Sequence, residues 1–297
     1  MNTLINADCM KALYPHEKVQ CIFADPPDNI GLGYDEFDDN KDNPEYVRWL
    51  EELLGLLIVR ADTVWFSFNA KWTFEVGRIF QSLIYRFASS KRKLEGKPCV
   101  QVFTFGQHRK TDLGNNHRPL WRLKWDDAPL YPDQIKVPSW RQRNGDKRAA
   151  PGGKVPGDVF DMQYPDGGNA QDRIGRWLSA AADDPSSCAE FKADIEAWFE
   201  TCNGDVFDFP RVTGNSAQRQ DWCPTQLHEA LVERCILLST DMGDSVVDPY
   251  MGSGTTLRVC LRNARLCTTI DTDATYCNIA AQQNGLRQTG PVTWVRA

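Results

Sequence analysis

The nonapeptide Asp248-Pro249-Tyr250-Met251-Gly252-Ser253-Gly254-Thr255-Thr256 constrains the fold more than any other part of the chain. It follows a short apolar run at 245–247 and opens a helical pattern over 255–263, so it reads as a strand, a glycine loop and a helix N-terminus. Glycines there let the backbone approach a ligand closely, and a helix N-terminus attracts an anionic group. No lysine follows Gly254, which removes the loop from the phosphate-binding type of nucleotide hydrolases. A Gly-x-Gly by itself is commonly just a tight turn. Here a further strand, 266–270, ends at Asp271-Thr272-Asp273, about 20 residues on, where an acid is placed to bind ribose hydroxyls. Together these features suggest an adenosyl cofactor bound across the carboxyl ends of parallel strands.

The rest of the chain supports an α/β fold. An apolar run at 3–8 ends in Asp8, and a buried-type strand at 19–24 stops at Asp25. Residues 44–60 carry helical spacing through Tyr46, Leu50, Leu53, Leu54 and Leu57, with Pro44 in the first turn. Strand patterns follow at 63–68 and, beyond a further helix, at 100–105. From about 106 to 208 the periodicity breaks down into sequence rich in Pro, Gly, Trp and Arg. Within it, 191–202 reads as a helix with Ile195, Trp198 and Phe199 on one face. Residues 157–161 recur as 204–208, too short a match to mark a repeat architecture. Regular pattern resumes with a helix expected over 225–239. The expected division is therefore a core of 1–105 and 204–297 around an irregular insertion, 106–203.

Net charge is −6, which at first argues against a nucleic-acid partner. Charge placement matters more than the sum. Between Arg86 and Lys154 there are 16 Lys/Arg against 6 Asp/Glu, leaving the remainder near −16. A local basic surface on an acidic body can track a phosphate backbone, and Arg141, Arg143, Lys147 and Arg148 are the densest group. No apolar run approaches the roughly 18 residues of a membrane span, and Met1-Asn2-Thr3-Leu4 opens no signal peptide. A soluble, cytoplasmic protein without a membrane partner is expected. The ten cysteines include no C-x-x-C pair and no zinc spacing, so reduced buried thiols and no metal are expected.

Asp25-Pro26-Pro27-Asp28 stands at the carboxyl end of a strand. Two prolines remove two donors and fix the turn, leaving a carboxylate and the Pro26 carbonyl facing one spot. Both are acceptors, and an exocyclic NH₂ of a base offers two donors. Its lone pair is delocalised into the ring, so accepting both hydrogens pulls the nitrogen toward tetrahedral geometry and frees the pair for in-line attack on a methylsulfonium. In isolation such a tripeptide is more commonly a rigid loop corner.

The tetrapeptide and the glycine loop resemble the two signature motifs of amino-type DNA methyltransferases. Their order, catalytic motif first and cofactor loop last, is similar to the β group of that family. Asn6-Ala7-Asp8-Cys9 resembles the strand end whose Asp meets the cofactor's adenine. Cys223-Pro224-Thr225-Gln226-Leu227 resembles a cofactor segment that usually begins with His. The likeness covers about 1–80 and 204–280.

The resemblance implies an S-adenosylmethionine-dependent, Rossmann-like, doubly wound sheet, circularly permuted so that the chain begins near the third strand. It implies methyl transfer to a flipped base in DNA, adenine ahead of cytosine, and a place in restriction–modification. It assigns Asp25, Pro26, Pro27 and Asp28 to catalysis. S-adenosyl-L-methionine falls to Asp8, Thr225, Gln226, Asp248, Tyr250, Gly252, Gly254, Thr255 and Asp271. Residues 106–203 would recognise the target, and a homodimer is one arrangement left open. A non-catalytic DNA-binding subunit, or methylation of RNA or of a protein amide, are the rival readings. The chain departs from the family at Asp28, where an aromatic usually stacks on the base. Stacking contributes about 1–3 kcal/mol per base, so Tyr34, Phe37, Trp65 or Phe68 would have to supply the ring, or Asp28 would bond a base edge instead.

Overall fold

A computed structural model describes residues 1–13, 18–33, 37–102, 111, 117–143, 145–149, 151–157, 218–223 and 225–296. The strands are β1 (Asn2–Asn6), β2 (Val19–Ala24), β3 (Ala61–Ser67), β4 (Leu94–Lys97), β5 (Val100–Val102), β6 (His117–Trp125), β7 (Ser245–Asp248), β8 (Leu266–Asp271), β9 (Arg287–Gly290) and β10 (Thr293–Arg296). The described helices are α1 (Cys9–Ala12), α2 (Asn43–Arg60), α3 (Thr73–Arg86), α4 (Trp140–Arg143), α5 (Glu229–Ser239), α6 (Thr255–Arg262) and α7 (Ala274–Gln283).

The sheet runs β4-β6-β3-β2-β7-β8-β1-β10-β9, with β5 paired to β6. Its centre, β3-β2-β7-β8-β1, is parallel, and both flanks are antiparallel. The sheet is thus mixed at the edges rather than parallel throughout. Side chains alternate across it, as strand geometry requires. Ile22, Ala24, Val64 and Phe66 pack into the cluster formed by Leu50, Leu53, Leu54 and Leu57 of α2 and Val76, Ile79, Phe80 and Leu83 of α3. Trp65 points the other way, where its indole N–H donates to Ser239 Oγ of α5 at 2.8 Å. Both faces of the parallel centre are therefore covered, which explains its near-continuous apolar strands.

The helical pattern over 44–60 corresponds to α2, whose buried side is Tyr46, Leu50, Leu53, Leu54, Leu57 and Ile58. The helix expected from 225 starts later. His228 caps α5, its ring Nδ1 accepting from Ala230 N–H at 3.2 Å, and 225–228 lie outside the helix. β6, inside the stretch that reads as irregular, is a nine-residue strand of the sheet. Of the strand pattern at 100–105, only Val100–Val102 is described. The helix pattern at 191–202 and the echo at 158–161 and 204–208 lie outside the described residues.

By its contacts the chain forms two compact units, Met1–Gln134 with Phe209–Ala297, and Ile135–Asp208. In the second, Val137 and Lys154 form an antiparallel bridge, and α4 precedes a turn closed by Asp146 N–H on Arg141 O at 2.9 Å. Among the described residues no helix is long and apolar enough to cross a membrane.

Candidate active site

β2 and β7 lie side by side in parallel, with Ile22 opposite Val247. Asp25 and Asp248 therefore come to the same carboxyl edge, and the chain leaves β2 and β7 to opposite faces of the sheet. This is the topological switch point at which open α/β sheets bind ligands. A cavity of about 560 Å³ opens there, lined among others by Asp8, Asp25, Pro27, Phe37, Trp49, Thr225, Gln226, Asp248, Tyr250, Gly252, Thr255, Asp271 and Asp273.

The glycine loop is built by its neighbours. Gly252 and Gly254 have φ of 49° and 74°, left-handed values that disfavour any side chain. Gly252 N–H donates to Asp271 Oδ2 at 2.9 Å, bolting the loop to the end of β8, while Asp271 Oδ1 accepts from Asp273 N–H. Burial pushes the Asp271 carboxyl up. Asp248 is 4% exposed and accepts from Tyr250 N–H at 2.9 Å. Burial, with Asp25 and Asp271 nearby, pushes its carboxyl up to about 7 despite bonds from Thr256 and Tyr250. Asp8 caps α1 through Met10 N–H. Gln226 braces its own segment, accepting from Gln220 N–H and donating to Gln218 O. Thr225 is exposed at the cavity wall. Cys223 is buried beside Gly252, its thiol donating to Thr225 O and raised to about 11 by burial.

Behind the tetrapeptide stands an aromatic wall. Tyr46 O–H donates to Pro27 O at 2.6 Å, and Trp72 Nε1–H donates to Asp28 O at 2.6 Å. The carbonyls on the far side of Pro26 are thus tied down, and among the described residues no donor meets the Pro26 carbonyl itself. The following loop is pinned by buried Asp39, which accepts from the N–H groups of Asn29, Ile30 and Leu32.

Arg118, on β6, reaches across β3 to the same place. Its Nη1 and Nη2 donate to Asp28 Oδ2 and Oδ1 at 2.6 and 3.1 Å, Nη2 donates to Asp25 Oδ1 at 2.7 Å, and Nε donates to Ser67 Oγ at 2.7 Å. Asp28 Oδ1 also accepts from Asn69 N–H at 2.8 Å. Burial by itself lowers the guanidinium, but Asp25 and Asp28 outweigh it and hold Arg118 above its ordinary range. Asp28 is 8% exposed, accepts three of these bonds and does not line the cavity, so it is not placed to meet a base edge.

Residues 19–282 match the family model described as DNA methylase. The chain belongs to that family. A type II methyltransferase, M.HpaI of Haemophilus parainfluenzae, is 45% identical over 94% of this chain and 73% of its own length. The DNA adenine methyltransferase YhdJ of Escherichia coli K12 is 24% identical over 95% and 82%. The fold is shared with PvuII DNA methyltransferase, described as cytosine-N4-specific, at a TM-score of 0.53 and 14% identity, covering 97% of this chain and 87% of that one.

As a DNA methylase the chain uses S-adenosylmethionine as methyl donor, and the cavity's donor set suits it. That cofactor carries a sulfonium and an ammonium, and Asp8, Asp25, Asp248, Asp271 and Asp273 make the wall acidic. At Gly252 the left-handed backbone faces open cavity, the nearest side-chain atom to an added Cβ being Cys223 Sγ at 3.8 Å.

Several expectations about the methylase need correction. Trp65 and Phe68 are 1% and 0% exposed, within the sheet's packing, and cannot stack on a base. Phe37 lines the cavity against Trp49, with ring centroids 5.4 Å apart; Tyr34 lies outside the described residues. The basic stretch is partly structural. Arg92 pairs with Asp62 and Asp127, Lys124 with Glu95, and Arg122 is buried with its guanidinium 5.6 Å from the Trp65 ring. Arg141, Lys147 and Arg148 are exposed, and Arg148 pairs with Asp146 at 2.8 Å. Arg143 ends α4, with its side chain outside the described set. Arg118 itself escaped the sequence reading, although the alternation of bulky and basic residues over 121–125, three residues on, was a strand signal.

Proposed function

We propose that this methylase transfers the methyl group of S-adenosylmethionine to the exocyclic amine of a flipped adenine in DNA. The observation that carries the reading is the position of Asp25. Its carboxylate stands at the cavity, one residue beyond β2, with Oδ1 engaged by Arg118 and Oδ2 met by no donor among the described residues. The bound cofactor supplies a methyl group on a cationic sulfonium. Asp25 Oδ2 and the Pro26 carbonyl accept the two amine hydrogens and draw the nitrogen toward tetrahedral geometry. One Arg between two carboxylates leaves a single negative charge beside the nitrogen, which becomes positive as it is alkylated; such fixed charge acts most strongly in the transition state. The surplus proton leaves from that nitrogen toward Asp25.

Asp8, Thr225, Gln226, Asp248, Tyr250, Gly252, Gly254, Thr255 and Asp271 would hold the cofactor, Asp271 both fixing the glycine loop and facing the ribose. The part of residues 106–203 beyond β6 and the core unit would carry target recognition, with Arg141, Arg143, Lys147 and Arg148 on phosphates. Adenine is favoured by the family resemblance, in which a catalytic motif opening with Asp, as at Asp25, goes more with adenine than with cytosine, and by the name of the YhdJ relative.

The test is a transfer assay with methyl-labelled cofactor on DNA from a methylase-deficient host, followed by nucleoside digestion. Label in N6-methyladenine supports the reading; label in N4-methylcytosine moves the target to cytosine. Asp25→Ala should lower the single-turnover rate about 10²-fold or more with cofactor affinity nearly intact. Full activity in that variant would remove Asp25 from the step.

A further inference from the structure

We propose that Arg118 is a positioning residue for methyl transfer, acting through Asp25, and that Asp28 is its anchor. The inference rests on the function proposed above. The family's motif would place an aromatic ring at 28, whereas here a carboxylate is buried in that place, with a guanidinium that no local sequence pattern supplies. Four contacts fix the plane of that guanidinium: both oxygens of Asp28, one of Asp25, and Ser67 Oγ. Asp28 is held in turn by Asn69 N–H, at the start of the 3₁₀ turn Ala70–Trp72. The parts sit just beyond β2, on β3 and on β6, so three strands converge on a single carboxylate.

The consequence is geometric. A carboxylate that must accept one hydrogen from an amine along a defined line gains from having its other oxygen bolted down. Arg118 Nη2 does that to Asp25 Oδ1 at 2.7 Å. Rotation about the Asp25 side chain would break a charge-assisted hydrogen bond in a site only 28% exposed. The bidentate Asp28 pair keeps Arg118 from following Asp25 if it moves. Arg118 is absent from the cavity wall, so its influence on the reaction runs through Asp25 rather than through cofactor or base.

The test compares wild type, Arg118→Gln, Arg118→Lys and Asp28→Asn in the transfer assay on DNA from a methylase-deficient host, with cofactor affinity measured by calorimetry. Arg118→Gln should cut the single-turnover rate roughly 10²-fold, as expected when a reacting group is misplaced by about 1 Å, while the cofactor Kd stays within about threefold. Arg118→Lys should recover part of that loss, and Asp28→Asn should lose about tenfold by loosening the anchor. In an Asp25→Ala background, Arg118→Gln should cost no more than about threefold further, since its route is already cut; a purely structural residue would subtract its full effect again. If Arg118→Gln does not fold, Arg118→Lys and Asp28→Asn decide: rates within threefold of wild type in both overturn the proposal. So does a full additional loss in the Asp25→Ala background. Wild-type protein that transfers no methyl to this DNA overturns the functional reading beneath it, and that outcome is distinct from an active wild type with an equally active Arg118→Gln.

Discussion

If Asp248 holds the cofactor as proposed, binding should depend on pH, and the sign follows from the burial of its carboxyl. Its carboxyl titrates near 7 in the free protein, chiefly because burial disfavours the charged form. A cationic ligand beside it favours the charged form. If the cofactor binds only when Asp248 is ionised, the apparent Kd scales as one plus the ratio of protonated to ionised protein. For a group titrating at about 7, Kd at pH 6 is then about tenfold weaker than at pH 8. Without cofactor the folded protein should follow the complementary trend. The native carboxyl keeps its proton to a higher pH than the unfolded chain does, whose Asp ionises near 3.8. Stability therefore falls as pH rises from about 4 to about 7 and is level above, with a total cost of about 4 kcal/mol.

The assay is calorimetric titration of cofactor between pH 5.5 and 8.5, for wild type and Asp248→Asn. The ligand's own α-amino group titrates near 8 and shapes both curves equally, so the difference between them isolates Asp248. Wild type should tighten toward high pH relative to the variant, and cofactor-free Asp248→Asn should outlast wild type in thermal melts at pH 8. Superimposable binding curves would refute the reasoning.

The remaining expectations concern the loop, the motif and the basic group. Gly252→Val should abolish cofactor binding, because a β-branched side chain is forced into left-handed backbone at the cavity wall, and Gly254→Val should weaken it by distorting the loop, since a side chain there is strained and meets Ala280, Arg258 and Asn284; calorimetry with unchanged Kd would contradict this. Asp271→Ala should weaken binding, since it also releases Gly252 N–H. Asp28→Tyr restores the family's aromatic yet should lower turnover at least tenfold: it strands Arg118 and must fit a ring where 8% of the residue is exposed. Single-turnover rates check it. Neutralising Arg141, Arg143, Lys147 and Arg148 together should flatten the salt dependence of DNA affinity, by up to about one counterion per residue; the Asp146 partner of Arg148 predicts a smaller share from that residue.

What was legible in the sequence was what local pattern encodes. Apolar runs reaching Asp25, Asp248 and Asp271 marked strand ends because burying a carboxylate is costly and breaks the apolar pattern. The spacing of Tyr46 through Leu57 marked α2 because one face of it meets the sheet. The site's second half was not legible, and the reason is tertiary. Arg118, Arg122 and Lys124 share one face of β6, and their charges read as solvent-facing until the turn after β2 supplies Asp25 and Asp28, β3 supplies Trp65 and β4 supplies Glu95. A basic residue whose partner lies 93 positions away leaves no periodic trace. The same argument explains Asp28. Judged against its neighbours it was a missing aromatic and a potential defect; with Arg118 in place, it is half of a bidentate pair that converts the tetrapeptide from a stacking motif into a fixed pair of carboxylates. A departure from a family motif is therefore better judged by what the new side chain holds than by what the old one did.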